Sequence, residues 1–316
     1  MFNISQTKSG THQRRVRMEQ VNPTADDKSL PHPAAYGPRI FADTGKIEDI
    51  APLYQAGIIN GVTTNPSLMK AAGAKSWDDI KRMSCEILEL LNPNPVSLEL
   101  TELTYDAMLE QADMLASWGD NVIIKVPVGG YQAVDPSLDP YTGLKVLNAL
   151  WQRDIKTNAT LIFNSTQAFW AANAGASYVS PFLGRLGDYA YQNDQVEQDP
   201  GNSLYHIDDH KNSSGKEHIY NTEYVAGGGA RKDIGSRLIQ EISVVFTNYD
   251  IHTEILAASF RNFTQISECL MAGADILTVP APLLQGVADH PLTDEGMVRF
   301  VEDSKVFDSE EELVTY

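Results

Sequence analysis

The sequence predicts an α/β protein folded as a (β/α)8 TIM barrel. Three observations lead there. From residue 39 onward, short apolar runs of strand length alternate with longer stretches of helical periodicity. There are eight such runs, spread over roughly the 250 residues that this barrel usually takes. No G-x-G-x-x-G turn follows any of them, which ranks a doubly wound open sheet below the barrel.

The elements follow in order. RIFAD (39–43) is the first strand, and KIEDIAPLYQAG the first helix, with Ile47, Ile50, Ala51 and Tyr54 on one face and Gly57 at its end. IINGV (58–62) is the second strand. SWDDIKRMSCEILELL follows as a helix, with Ser76 and Asp79 spaced as a capping box. VSLELT (96–101) is the third strand, and TYDAMLEQADMLASWG a helix closed by Gly119. NVIIKVPV (121–128) is the fourth strand, and YTGLKVLNALWQRD a helix with Leu144, Leu147 and Leu150 on one face. TNATLIF (157–163), STQAFWAANAG, ASYVSPF (176–182), TEILAASF (253–260), NFTQISECLMAG and ADILTVP (274–280) complete the alternation.

The chain has 316 residues, 42% of them hydrophobic, enough for a full core. Its net charge of −18 argues against nucleic acid and against anionic membrane surfaces as partners. No apolar run reaches the roughly 18 residues of a membrane helix. The two cysteines, Cys85 and Cys269, lie in helical stretches without metal-ligand spacing and read as buried thiols of a reducing compartment. Residues 1–38 carry four prolines, the basic cluster Arg14, Arg15, Arg17 and few aliphatic side chains. They read as a disordered tail or a targeting segment, ahead of a single barrel at 39–316. A cytoplasmic protein is expected, with organelle targeting as the alternative.

Catalysis in such barrels sits at the C-terminal ends of the strands. The polar residues there are Asp43; Thr63, Thr64 and Asn65; Glu99; Lys125; Asn158 and Thr160; Ser180 and Arg185; Ser259 and Arg261. Lys125 and Glu99 stand apart, because both lie inside apolar runs. A buried ammonium costs several kcal/mol, roughly, unless paired or neutral. Desolvation lowers the pKa of an amine, and a neutral lysine amine condenses with a ketone to a Schiff base. Asp43 and Glu99 are the carboxylates at hand for proton transfer. The other reading is a lysine salt-bridged to Glu99 for packing alone. Two arginines at neighbouring strand ends suit bidentate capture of a phosphate.

These residues resemble the transaldolase family, which includes the shorter fructose-6-phosphate aldolases. The shared stretches are FADTG (41–45), GVTTNPSL (61–68), VIIKVPV (122–128), NATLIF (158–163), YVSPFLGRLGD (178–188), EQDPG (197–201) and AASFRN (257–262). The resemblance implies a class I aldolase barrel with no metal or organic cofactor, Lys125 as the Schiff-base lysine and Asp43 as proton carrier. It implies that Glu99 and Thr160 hold a catalytic water and that Thr63, Asn65 and Asn158 bind substrate. It places Ser180 beside the imine, and Arg185, Ser259 and Arg261 at a phosphate. Glu99, Asn158 and Phe182 are of the transaldolase kind, where aldolase-like members carry glutamine, no asparagine, and tyrosine. The implied reaction moves a dihydroxyacetone unit between sugar phosphates in carbohydrate metabolism, and a homo-oligomer is expected. A free aldolase, a specialised-pathway relative and a non-catalytic sugar-phosphate-binding protein remain the alternatives.

Residues 189–234 are too long for a barrel loop and read as an insertion; YAYQNDQVEQDPG (189–201) still resembles the family, and the chain departs from it in the stretch that follows. It holds His206, His210, His218, Asp208, Asp209 and a glycine run at 227–229. A solvated irregular segment is expected there in preference to a metal site; closure of the glycine run over a phosphate is the minority reading. The stretch 129–141 after the lysine strand is also long and is expected to narrow the pocket.

Overall fold

A computed structural model of the protein describes residues 37–193 and 233–308. The described residues from Arg39 onward belong to one compact unit. Eight parallel strands close a barrel in sequence order: β1 (Arg39–Asp43), β2 (Val62–Thr63), β3 (Val96–Glu99), β4 (Val122–Pro127), β5 (Thr157–Ile162), β6 (Tyr178–Pro181), β7 (Glu254–Ala258) and β8 (Ile276–Val279). Closure runs through β1 and β8, where Ala42 pairs with Val279. The described helices are α1 (Ile47–Gln55), α2 (Pro66–Ala71), α3 (Trp77–Leu91), α4 (Tyr105–Ala116), α5 (Tyr131–Val134), α6 (Thr142–Gln152), α7 (Ser165–Asn173), α8 (Leu183–Asn193), α9 (Ile234–Asn248), α10 (Phe263–Ala272), α11 (Ala281–Gln285) and α12 (Pro291–Asp308).

Two apolar cores result from the period-2 alternation of the strands. One lies between sheet and helices and holds Val62, Val96, Ile124, Val126, Val179 and Ile255 against helical residues such as Ile50, Ile87, Met108, Leu147 and Ile239. The other fills the barrel with Phe41, Ile123, Tyr178, Leu256, Ala258 and Ile276. At the N-terminal end the Arg39 guanidinium sits 5.8 and 5.6 Å from the Phe41 and Tyr178 ring centres and bonds Glu254 at 2.5 Å. That cation packs over the rings at the N-terminal end of the barrel.

The predicted cap of α3 forms. Ser76 Oγ accepts from the Asp79 N–H at 3.1 Å, and Asp79 Oδ2 accepts from the Lys75 N–H at 2.9 Å. The second strand is a correction: the ladder begins at Val62, and 58–61 is not strand. Asn60 Oδ1 takes the Ile40 N–H at 2.9 Å. Gly61 passes the Phe41 ring so closely that a Cβ there would lie 2.5 Å from it. Asn60 N–H and the Gly61 carbonyl still bond Ile40 and Ala42, but the Asn60 side chain takes the Ile40 N–H that a longer ladder would use.

Helices α2, α5, α8, α9, α11 and α12 go beyond the sequence reading. In α9 the spacing of Leu238, Ile239, Ile242 and Phe246, all buried, carries the helical signal. The tail at 1–36 and the segment 194–232, with its histidines and glycine run, lie outside the described residues.

Candidate active site

Strand register decides which polar residues meet. Thr63 pairs with Asp43 and with Ser97, Glu99 with Lys125, and Lys125 with Asn158. Residues level with one another and on the inward face of the pleat form a polar layer above the apolar filling. A cavity of about 390 Å³ opens over it, lined by Asp43, Thr63, Asn65, Glu99, Lys125, Ser180, Phe182, Arg185, Ser259 and Arg261 among others. Nine of the twelve polar residues singled out in the sequence, together with Phe182, therefore face one space.

Lys125 is 3% exposed. Its Nζ lies 3.1 Å from Glu99 Oε2, donates to the Thr64 carbonyl at 3.1 Å and stands 5.9 Å above the Phe182 ring. The ammonium is thus paired and hydrogen-bonded, which answers its burial cost. Asp43 accepts from the Thr63 hydroxyl at 2.8 Å. That hydroxyl has one proton, so Thr278 is the donor in the 2.5 Å contact between the two threonines. Burial pushes the Asp43 carboxyl above the usual carboxylate range. The Lys125 charge and the Thr63 hydrogen bond pull it back, and the Glu99 charge pushes it further up. A carboxyl so raised exchanges protons more readily near neutral pH.

Asn158 and Thr160 do not line the cavity. Asn158 sits beneath it, donating to Ser97 Oγ at 3.2 Å and accepting from the Ser180 hydroxyl at 2.7 Å. It orients the serine that does reach the space. Thr160 is fully buried, and its hydroxyl has no hydrogen-bond partner among the described residues. The strand is bulged between Ala159 and Ile162, with Leu161 at φ 60°, and the bulge turns Leu161 onto the cavity wall. Asn65 has a double place: its side chain caps α2, accepting from the Leu68 N–H at 2.9 Å, and it lines the cavity.

On the far side stand Arg185, on α8, and Arg261, after β7. Arg185 lies 5.9 Å from the Phe182 ring centre. Arg261 bonds Asp188 Oδ2 through Nη2 at 2.7 Å and Nε at 3.2 Å, and donates from Nη1 to Ser259. Sequence reasoning missed Asp188, Thr278 and Leu161. Thr278 was accessible by the rule that found Lys125, a polar residue inside an apolar run. Leu161 was not, because the bulge sets its direction.

The described structure is that of a barrel with a buried lysine and two carboxylates at its open end. Its relatives are consistent with that class. The Transaldolase/Fructose-6-phosphate aldolase family model matches residues 40–315. A probable transaldolase of Desulforapulum autotrophicum is 36% identical over 267 residues, covering 84% of this chain and 97% of the relative. Those of Aquifex aeolicus and Thermoplasma volcanium are 37% and 35% identical, each over 84% of this chain and 95% of the relative. The chain belongs to the transaldolase/fructose-6-phosphate aldolase family.

Proposed function

We propose that the protein is a transaldolase, moving a dihydroxyacetone unit from a ketose phosphate to an aldose phosphate through a Schiff base on Lys125. Sedoheptulose 7-phosphate and fructose 6-phosphate are the donors, and glyceraldehyde 3-phosphate and erythrose 4-phosphate the acceptors. The observation that carries this reading is the Lys125 nitrogen, buried in the barrel and lining the same cavity as Asp43 and Glu99.

The Lys125 ammonium passes a proton to a neighbouring carboxylate, and the freed amine adds to the ketose carbonyl. Loss of water gives the imine. Asp43 takes the proton of the 4-hydroxyl as the C3–C4 bond breaks. The bond electrons move into the protonated imine, leaving an enamine, and the aldose phosphate departs. The enamine then attacks the acceptor aldehyde and Asp43 returns its proton to the new alkoxide. A water held by Glu99 and Thr160 serves imine formation and hydrolysis; the orphaned Thr160 hydroxyl supports that role. Asn65, Asn158 and Ser180 hold substrate hydroxyls, Asn158 acting through Ser180. Arg185, Ser259 and Arg261 anchor the phosphate. Phe182 presents a ring to Lys125 in place of a phenol. With no acid there to protonate the enamine, transfer is favoured over release.

Treatment with borohydride and fructose 6-phosphate is expected to leave a reduced three-carbon adduct on Lys125, read by mass spectrometry. Its absence would sink the reading in favour of a binding protein. Free dihydroxyacetone produced without acceptor as fast as transfer proceeds would favour the aldolase.

We also propose that 39–316 is one barrel and that 189–234 is an insertion tuning acceptor choice. Its first residues extend α8 to Asn193, and the described chain resumes at α9. A homo-oligomer is supported by α12, whose Leu292, Met297, Val298, Phe300, Val301, Val306 and Phe307 are all more than half exposed.

A further inference from the structure

Arg261 is not a free cation at the cavity wall; it is clamped on three sides. Its Nε and Nη2 both donate to one oxygen of Asp188, at 3.2 and 2.7 Å. Its Nη1 donates to the Ser259 carbonyl at 3.0 Å and to the Ser259 hydroxyl at 3.2 Å. The guanidinium also lies against the first turn of α8, where a Cβ on Gly184 would stand 3.1 Å from the guanidinium carbon. Ser259 itself is held at φ 74°, a left-handed conformation that a serine adopts at a cost. The cavity is lined by Arg185, Ser259 and Arg261 but not by Asp188. The carboxylate thus grips the Nε edge of the guanidinium without itself lining the cavity.

A guanidinium presents five N–H donors in a rigid plane. With the Nε edge held by Asp188 and Nη1 by Ser259, one Nη2 hydrogen is left to be aimed elsewhere, and the clamp removes the rotamer freedom that a long side chain would lose on gripping an anion. An opposing view is that a carboxylate so close competes with the anion for Arg261. Positioning is favoured over competition because Arg261 lines the cavity and Asp188 does not.

We infer that Asp188 is a positioning residue for the anion subsite: it holds Arg261 so that the charge and the remaining Nη2 donor of the guanidinium are presented to the donor's phosphate. The inference rests on the reading of Arg261 as a phosphate ligand.

The test compares Asp188→Ala, Asp188→Asn and Asp188→Glu with Arg261→Ala, using the full chain. Three readouts are taken: competitive inhibition by inorganic phosphate, KM and kcat with fructose 6-phosphate as donor, and borohydride trapping with unphosphorylated dihydroxyacetone. Thermal unfolding verifies that each variant is folded. Asp188→Ala is expected to weaken phosphate inhibition and raise KM about five- to tenfold, the scale of a lost charge-assisted contact. Its kcat and its trapping with dihydroxyacetone should stay at the wild-type level. Asp188→Glu should recover part of the affinity, and Asp188→Asn should fall between. Tighter phosphate binding in Asp188→Ala would identify a competitor and overturn the inference. So would unchanged phosphate binding alongside a weakened Arg261→Ala. Should Arg261→Ala itself leave phosphate binding unchanged, the phosphate reading falls, and the role of Asp188 with it. Should Asp188→Ala fail to fold, Asp188→Asn carries the same comparison.

Discussion

Removing the amine of Lys125 has a structural consequence separate from the loss of chemistry. The side chains of Lys125 and Glu99 are 4% and 13% exposed, with the charges 3.1 Å apart. At an effective dielectric of about 20, two unit charges at that distance attract by about 5 kcal/mol. Desolvation costs several kcal/mol per ion, roughly, so the intact pair lies near break-even against an apolar one. Lys125→Met removes the attraction but leaves the desolvation of Glu99 in place, and deprives Asp43 of its nearest cation as well. The expected loss is about 3 kcal/mol, at the lower end for a broken buried pair because Glu99 keeps some contact with solvent. Glu99→Gln should cost about 3–5 kcal/mol by stranding the more deeply buried ammonium, and the double variant should lie within about 1 kcal/mol of wild type. Equilibrium urea unfolding at neutral pH, followed by tryptophan fluorescence, measures all four corners of the cycle. Purely additive costs would refute the reasoning, since they would mean that the two charges do not meet in the folded protein. Transaldolase activity should be lost in both variants that lack Lys125.

Asp43→Asn should lower kcat by about 10²- to 10⁴-fold, the range for a general acid/base, and yet raise the thermal midpoint at neutral pH. The sign follows from the raised pKa of the Asp43 carboxyl. The folded state holds this proton more tightly than the unfolded state, so the charged form costs stability. That cost is absent below the ordinary carboxylate pKa of about 4 and is fully developed once the pH has passed the folded value. The gain of the asparagine variant should therefore shrink as the pH is lowered, and a gain that grows in acid would contradict the assignment. Gly184→Ala places a Cβ 1.9 Å from the Ser259 carbonyl oxygen. Forcing that backbone apart should destabilise by about 1–3 kcal/mol and raise the donor KM by displacing Arg261, both readable from unfolding curves and steady-state kinetics. For the oligomer, Phe300→Asp with Phe307→Asp should lower the molar mass seen by light scattering on a size-exclusion column. An unchanged mass would remove α12 from the assembly.

Much of the barrel was legible before any coordinates. Apolar runs marked β1 and β3–β8 to within a few residues, because a strand buried on both faces leaves an uninterrupted apolar signature. Lys125 and Glu99 were legible for the converse reason: a charge inside such a run is costly enough to need an explanation. The same logic would have yielded Thr278. It would not have yielded β2, which shrinks to Val62–Thr63 where the Asn60 side chain takes the Ile40 N–H in place of a ladder carbonyl. Nor could it show that Asn158 lies under the cavity floor while Leu161 reaches its wall, since a bulge changes the alternation without leaving a mark in composition.

The sequence by itself determined the alternation of elements, the polar residue types at the strand ends and the burial of one lysine. Those are properties of local periodicity and of the free energy of hiding a charge. Only the tertiary structure decided which of those groups meet. Register and barrel closure set Glu99 against Lys125, Thr63 against Asp43, and Asp188 against Arg261. Contacts between residues distant in the chain depend on how strands and helices pack together, and that packing leaves no local pattern in the sequence.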